Sequence, residues 1–553
     1  MGSNNNLIMD KAVEVKSKRD ITSTLAPYTG TFGIAEITHL LKRTMFGAAP
    51  QDVAYFSTKT ITQAINELLT PTATDPAPPI KEYATSTTTG VVADANIAVG
   101  TTWINDINND GTVQAQRRTS YRKWATGVLL NQDRSIKEKL TLFWLNHFGT
   151  EADEIGNATH IYQHNMLMRN NVLGNFKNLV KLVTTDIAML RYLNGYVNIA
   201  TAPDENYGRE LQELFTVGKG PGSQYTESDV KEAAKVLTGW RINYTNYTVS
   251  FNPALHSTVN KQFSAFYNNT VITGRTGATA GALELDDMLN MIFSTQELAK
   301  HLMRKLYRWF VYYEIDPATE ANIITPLANM FRTNNYEIKP CLDALLKSQH
   351  FFDVLNRGCQ IKSPIDLVVG SCREFGVVLP ALTTAAPNEA YQMYNYLSSI
   401  CVNLQQDYHN PPNVSGWPAY YQTPKFYEIW VNTDTLPKRN IYTDTMINTG
   451  YTANGKKIMF DAVALARLMP NPSDPNELVK DIDDRFLRVG LSPVSRAQIK
   501  TQILLSNQTS DYYWTNAWNA YIASPTTANL NIINTRLKEL CKYLMNLAEY
   551  QLC

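Results

Sequence analysis

The stretch Pro203–Trp240, PDENYGRELQELFTVGKGPGSQYTESDVKEAAKVLTGW, decides the fold because it encodes two short helices and the turn that joins them. Gly218 suits the left-handed residue that ends many helices. Thr226, followed three residues later by Asp229, predicts a capping box at the start of the second helix, and Gly239 ends that helix. An apolar stripe at near-helical spacing gives the first helix its buried face: Tyr207, Leu211, Leu214 and Phe215.

The polar face of the first helix carries the main candidate catalytic residues. Asn206, Glu210 and Glu213 stand at positions i, i+4 and i+7, so they share one face. Arg209 follows Glu205 by four residues, the spacing of an intrahelical ion pair. Paired carboxylates can exchange protons with a substrate or bind a divalent cation, but the same residues also suit a structural ion-pair network. The sequence leaves both interpretations open.

Composition narrows the class of protein. The chain has 553 residues with 50 basic and 50 acidic side chains, so its formal net charge is zero. Nucleic acid is therefore excluded as a main partner, because phosphate neutralisation requires a basic surplus or stripe. No apolar run reaches the length of a transmembrane helix. The N-terminal residues lack the apolar core of a secretory signal, and no phosphate-binding or dinucleotide-binding glycine loop occurs.

The hydrophobic pattern predicts a mainly α fold with a small β insertion. A chain of this length is expected to form two lobes or one core with large insertions. We divide it into an N-terminal arm (1–27), a helical core domain (28–465) and a C-terminal helical subdomain (466–553). Within the core domain, the alternation in INYTNYTVSF favours a hairpin or small sheet near residues 240–275. One amphipathic helix is expected over residues 52–69.

The segment DINNDG, residues 106–111, resembles the first half of a calcium loop. Asp106, Asn108 and Asp110 would supply oxygen ligands to a hard cation. The twelfth loop position is Arg117, where a calcium loop requires a bidentate glutamate. A turn built on Asp and Asn side chains is the alternative interpretation.

Histidines and one loop complete the candidate site. His147 ends a long amphipathic helical region and is a natural general base near neutral pH. The run NPPNVSGWP, residues 410–418, cannot form regular structure, so Trp417 either fills the core or faces a ligand together with Asn413. The sharpest enzyme hypothesis places Asn206 and the two glutamates in a pocket closed by His147 and this loop. His160 and His164 have the spacing of a two-histidine metal pair, without a helical His-Glu-x-x-His motif.

Six cysteines lie in the C-terminal half of the chain. Buried thiols are expected, with one or two disulfides as the alternative if the protein is exported. None forms a metal-binding Cys-x-x-Cys pair. The six positions are Cys341, Cys359, Cys372, Cys401, Cys541 and Cys553.

Several motifs together resemble a large bacterial family of unknown function, numbered 1800. The central stretch carries the longest match, P-x-E-N-x-x-R-E-L-x-E-L-F-T-x-G followed by Y-T-E-x-D-V and L-T-G-W. One departure is His256-Ser257, where the family often shows a His-Asp pair, and it puts in doubt any acid–base role that needs the aspartate. The other matching motifs occur in the expected order: HLLKRTMFG (39–47), KLTLFWLNHF (139–148), LGNF (173–176), KSP (362–364) and NPPNVSGWP (410–418).

The resemblance implies a fold and a set of residues without a known reaction. Members of that family look to be commonly encoded beside a sulfatase-like family, numbered 1501, that carries an export signal. This implies assembly or interaction with such a partner at the cell envelope, with the periplasm or cell surface favoured over the cytoplasm. The alternative is a hydrolase or metal-dependent enzyme with a Glu/His pocket, acting on a glycan-like substrate that would suit the 30 tyrosines.

Overall fold

Helices form most of the secondary structure, and the mainly α prediction is confirmed. The structure is a computed structural model that describes residues 21–72, 74–84, 94–417 and 428–553. Most of the arm predicted over residues 1–27 therefore lies outside the described residues.

The first third of the described chain is helical. The single helix predicted over residues 52–69 is wrong, because Thr60 starts a separate helix by accepting a hydrogen bond from the Gln63 backbone N–H at 3.3 Å. Nine helices are found here: α1 Ile34–Thr44, α2 Pro50–Phe56, α3 Ile61–Leu68, α4 Gly111–Leu130, α5 Lys137–His147, α6 Ala152–Ile155, α7 Ala158–Asn170, α8 Phe176–Thr184 and α9 Ile187–Tyr192.

The central stretch forms the two predicted helices. Helix α10, Asn206–Glu210, continues into a π-helical turn, Leu211–Thr216, and α11 spans Glu227–Val236. The predicted capping box is confirmed, since the Thr226 hydroxyl accepts from the Asp229 N–H and the Asp229 side chain accepts from the Thr226 N–H at 2.7 Å. The π-helical turn was not predicted. Such turns are rare and occur frequently at functional sites.

The predicted β insertion follows this stretch. Strand β1, Trp240–Asn243, pairs antiparallel with β2, Thr248–Phe251, with Trp240 opposite Phe251. A second short pair joins β3, Lys261–Gln262, to β4, Val271–Ile272. The sequence did not predict a third hairpin, β5 Tyr451–Ala453 with β6 Lys456–Ile458.

The remaining helices surround an apolar core that runs through the described residues. Two further π-helical turns, Glu320–Ile324 and Lys500–Leu504, continue α14 and α23. The helices are α12 Ala280–Ser294, α13 Gln296–Phe310, α14 Pro317–Thr319, α15 Thr325–Thr333, α16 Ile338–Leu346, α17 Gln349–Phe352, α18 Pro364–Glu374, α19 Pro387–Asn403, α20 Thr435–Asn448, α21 Ala462–Arg467, α22 Pro475–Phe486, α23 Pro493–Ile499, α24 Tyr512–Ala523 and α25 Thr527–Met545.

The C-terminal residues pack against earlier parts of the chain. Helix α25 contacts α20, α21 and α24. After α25, the Cys553 N–H donates to the Gln360 carbonyl at 2.8 Å, and the Lys362 N–H donates to the Gln551 carbonyl at 2.8 Å. Residues 551–553 thus pair with residues 360–362 through backbone hydrogen bonds. The domain boundary at residue 465 stays a prediction.

None of the helices in the described ranges combines the length and apolar character needed to cross a bilayer. All six cysteines are free thiols, and five of them are buried.

Candidate functional site

Glu210 is the most perturbed carboxyl of the central helix. Its side chain is half-buried at the junction of α10 and the π-helical turn. Burial, followed by the charge of Glu213, raises the pKa of Glu210 to about 7. No hydrogen bond to another described residue lowers that pKa. A carboxyl that changes its protonation state near neutral pH is suited to acid–base catalysis.

Glu213, one turn further along the helix, is bound on both oxygens. Its Oε1 accepts from Lys219 Nζ at 2.7 Å, and its Oε2 accepts from the Tyr225 hydroxyl at 3.1 Å. Both partners come from the glycine-rich segment between the two helices. Glu213 and these partners line an open groove of about 490 Å³. The groove therefore gives solvent access to the Glu213 carboxylate.

Arg209 braces the two helices. Its guanidinium donates to both carboxylate oxygens of Glu227 at 2.6 and 2.7 Å and to Glu205 at 3.2 Å. Hydrogen bonding to Glu227 raises the pKa of Arg209 above its usual range. Asn206 is exposed on the same helix. The structure therefore keeps Asn206, Arg209 and the two glutamates on one helix, as the sequence predicted.

His147 lies on the buried side of the same helix. Its side chain is only 3% exposed, and its Nε2 donates to the Phe215 carbonyl at 3.0 Å. With Nε2 protonated, Nδ1 accepts from Lys305 Nζ at 3.1 Å. Burial and then the charge of Lys305 hold the pKa of His147 well below its usual range. His147 thus fixes the end of the helix from inside the core, and its catalytic role stays a prediction.

Lys305 of α13 is not among the candidate site residues taken from the sequence. Its Nζ also donates to the Leu214 carbonyl at 3.2 Å, and His301 Nε2 lies 3.3 Å from the same oxygen. The last carbonyls of a helix lack intrahelical partners, and the Lys305 and His301 side chains lie within hydrogen-bonding distance of this one. Burial and then the charge of Arg308 lower the pKa of Lys305 to about 7. Only tertiary packing brings Lys305 to His147.

Gly218 allows the close approach of α13 to the helix end. It has the left-handed φ of +86°, and a Cβ atom built on it would lie 2.2 Å from His301 Nδ1. The predicted glycine cap is confirmed. Its second function, leaving room for the His301 ring, was not visible in the sequence.

The loop of residues 410–417 lies at the end of α5. The Trp417 side chain is buried, and its backbone N–H donates to Asn146 Oδ1 at 2.8 Å. Asn413 is exposed, and its Oδ1 accepts from the Ser415 N–H at 2.9 Å. The loop therefore contacts Asn146, the neighbour of His147. The burial of Trp417 fits the core-filling interpretation, and ligand binding by Asn413 and Trp417 stays a prediction.

The residues of DINNDG have local partners. Asp110 Oδ1 caps α4 by accepting from the Thr112 and Val113 N–H groups at 2.8 and 2.9 Å. Asn108 Oδ1 accepts from the Asp110 N–H at 2.9 Å, and Asp106 Oδ2 accepts from Arg117 Nη2 at 2.6 Å. These contacts fit the turn interpretation. Calcium binding by this segment stays a prediction.

Histidines elsewhere do not complete a metal cluster. His164 Nδ1 lies 2.8 Å from Asp186 Oδ2, while both ring nitrogens of the buried His160 have no hydrogen-bond partner in the described structure. Where the family often shows a His-Asp pair, His256 Nε2 lies 3.2 Å from Glu284 instead. Among the described residues, no group of three His, Cys, Asp or Glu side chains is arranged to hold a metal ion.

These features define a mainly α-helical protein whose central helix carries an unequal pair of carboxyls. The chain belongs to the family described as "Protein of unknown function (DUF1800)", whose profile matches residues 39–552. The family resemblance seen in the motifs is confirmed. No curated protein and no solved structure matches the chain.

Proposed function

We propose that this protein is a hydrolase that acts on a glycan-like substrate by proton transfer at Glu210 and Glu213. The main support is the half-buried Glu210 carboxyl, which lies beside the Glu213 carboxylate and has a pKa of about 7. Two neighbouring carboxyls in unequal environments are a recurring arrangement in enzymes that need one acid and one base. The rare π-helical turn at this point also favours a functional site.

The proposal assigns different roles to the two glutamates. Protonated Glu210 donates its proton to the leaving oxygen as the glycosidic C–O bond breaks, and the resulting carboxylate then accepts a proton from the water whose oxygen bonds to the anomeric carbon. Glu213, held by Lys219 and Tyr225, supplies the negative charge that stabilises positive charge developing on the sugar ring. Asn206 is exposed on the same face and is available for substrate hydroxyl groups. A divalent cation bound by Glu210 and Glu213 is the metal-dependent form of the same proposal.

The test is turnover of neutral oligosaccharides by the purified protein and by Glu210→Gln and Glu213→Gln. Glu210→Gln is expected to lower kcat by about 100-fold or more. The matched control is Glu389→Gln, which alters a carboxylate paired with Lys456 on another part of the surface. Wild-type turnover in both site variants, or no turnover by the parent protein, contradicts the proposal. Elemental analysis of the same samples decides whether a stoichiometric metal is present and is lost in the double variant.

A second candidate function is assembly with a sulfatase-like family 1501 protein at the cell envelope. The supporting observation is the surface of α24 and α25, because residues 512–535 contain no charged side chain. Tyr512, Tyr513, Ile522 and Ile532 are nevertheless exposed there. Protein interfaces are depleted in charge and enriched in tyrosine at their centres.

Co-purification tests this second candidate. The two proteins are expressed together, and the protein is recovered through a tag on the family 1501 partner. Ile522→Asp should reduce recovery, whereas Ile441→Asp, which alters an exposed isoleucine of α20, should not. Equal recovery of both variants, or none of the parent protein, counts against assembly through this surface. Fractionation of the same cells tests the expected periplasmic or surface location.

A further inference from the structure

A second cleft lies away from the central helix. It has a volume of about 900 Å³ and is lined by the C-terminal half of α4, the start of α5, the end of α18 and part of α19. This volume falls in the range of small-molecule sites. None of its described lining residues comes from the stretch 203–240. Its chemistry is therefore independent of Glu210 and Glu213.

The floor of the cleft carries buried charges. Lys137, Glu138 and Arg169 are 8%, 5% and 4% exposed. Arg169 Nη1 donates to Glu138 Oε2 at 2.5 Å, and Lys137 Nζ lies 3.5 Å from Asp75 Oδ1. Burying charged side chains costs free energy even when they are paired.

Two guanidinium donors in the cleft lack an acceptor. Arg169 Nε and Arg373 Nε are both buried, and neither has a hydrogen-bond partner within the described structure. Arg373 uses its Nη2 to bind Asp52 at 2.7 Å, so its position is fixed by another contact. Leaving a buried donor without an acceptor is energetically unfavourable. The two Nε–H groups belong to cleft-lining residues on different helices, α7 and α18.

The lining is balanced in charge. Asp75, Asp133 and Glu138 are matched by Lys137, Arg169 and Arg373, so the formal charge of these six side chains is zero. A strongly charged ligand would pair with the side chains of opposite charge and would displace their present partners. A neutral ligand rich in hydroxyl groups satisfies both sets, because each hydroxyl donates to a carboxylate and accepts from an N–H group.

One wall of the cleft is apolar. It includes Val128, Leu379 and Leu382, beside the buried ring of Trp124. The C–H face of a sugar ring packs on such a surface, while its hydroxyl groups reach the charged floor. We propose that this cleft binds a neutral saccharide. Saccharide binding here does not require the proton transfer proposed at Glu210.

The test is calorimetric titration of the full chain with cellotetraose, chitotetraose and tetra-alanine. At least one saccharide should bind, with an affinity at least about tenfold weaker in Leu382→Arg, whose side chain would occupy the apolar wall. The matched control is Leu283→Arg on α12, because Leu382 and Leu283 are 44% and 47% exposed. Thermal unfolding should show that both variants remain folded.

The outcomes separate this proposal from the proposed hydrolase activity. Glu210→Gln should keep full saccharide binding at the cleft even if it abolishes turnover. Binding that is equal in Leu382→Arg and the parent protein overturns the cleft proposal. So does the absence of binding by both saccharides, or preferential binding of the peptide.

Discussion

Lys305 Nζ donates to His147 Nδ1 across 3.1 Å, although the two residues are 158 positions apart in the chain. The contact joins α13 to the end of α5, directly beneath the carbonyls of Leu214 and Phe215. The family motif that contains His147 therefore supports the central helix from below, while the two glutamates occupy its polar face. His147 and Lys305 therefore lie on one side of the central helix, and the two candidate catalytic glutamates lie on the other.

Replacing His147 should destabilise the fold through its hydrogen bonds as well as its volume. His147→Phe keeps an aromatic ring but leaves the Phe215 carbonyl and Lys305 without their partner. We expect a loss of about 1–3 kcal/mol in the free energy of unfolding. His147→Ala should cost about 3–5 kcal/mol, because it also creates a cavity. Urea unfolding provides the measurement, and wild-type stability in His147→Phe would show that the two hydrogen bonds contribute nothing.

Lys305 should titrate near neutral pH. Burial lowers its pKa to about 7, so its amine is mostly neutral above that pH. Competitive acetylation followed by mass spectrometry should give a midpoint near pH 7 for Lys305. Lys480 is a suitable internal control, since its hydrogen bond to Asp484 raises its pKa. A midpoint for Lys305 equal to that of Lys480 contradicts this expectation.

Glu210→Gln should change the pH dependence of stability. The pKa of Glu210 lies near 7 in the folded chain against an ordinary value of 4.5, so the folded state binds more protons between these values. Its stabilising contribution is complete below pH 4.5 and is lost as the pH rises through 7. The variant should therefore exceed the parent in stability at pH 8 by about 1 kcal/mol, allowing for partial solvent screening.

Urea midpoints at pH 4, 6 and 8 measure this difference. At pH 4 the glutamate is mostly neutral in both states, so variant and parent should be nearly equal. A stability difference that is the same at all three pH values would show that Glu210 titrates normally.

Gly218→Ala should destabilise the fold through both backbone strain and a steric conflict with His301. The substitution places a Cβ atom 2.2 Å from His301 Nδ1 in addition to imposing a left-handed φ on alanine. Gly277→Ala is the matched control, because Gly277 has a φ of +87° and no neighbouring atom within 4 Å. The control should lose about 1 kcal/mol from strain alone. Gly218→Ala should lose clearly more, as measured by Tm, and equal losses would mean that the His301 ring moves away without cost.

Asp94→Asn should be far more damaging than Asp106→Asn. Both carboxylates bind Arg117, but Asp94 is fully buried with it and accepts two hydrogen bonds at 2.8 and 2.9 Å, whereas Asp106 is 18% exposed. Removing the buried charge should cost about 3–5 kcal/mol, since Arg117 then remains poorly compensated. Asp106→Asn, which alters the more exposed partner, should lower the free energy of unfolding by about 1 kcal/mol or less. Similar Tm values for the two variants would contradict this assignment.

Features governed by local chemistry could be predicted from the sequence. The Thr226–Asp229 capping box and the left-handed Gly218 depend on residues within a few positions, and the structure confirms both. The helical spacing of Glu210 and Glu213 likewise predicted that the two residues share one face of the helix. The motifs also identified the family correctly.

Features governed by tertiary packing could not be predicted. Glu210 and Glu213 have the same chemistry in the sequence, and only their surroundings distinguish an unpartnered carboxyl from one bound by Lys219 and Tyr225. Lys305 occurs in an ordinary amphipathic helix, and nothing near it in the sequence indicates His147. The cleft at Arg169 and Arg373 combines segments that are far apart in the chain, so no local pattern reports it.

The pairing of residues 551–553 with residues 360–362 has a consequence for the order of synthesis. The partner backbone groups at Gln360 and Lys362 emerge from the ribosome long before Gln551 and Cys553 are translated. Domains that fold during translation do so from the N-terminus, but this contact cannot form until residue 553 has left the ribosome. Nascent chains that end before residue 551 should therefore keep an unpaired backbone edge at residues 360–362.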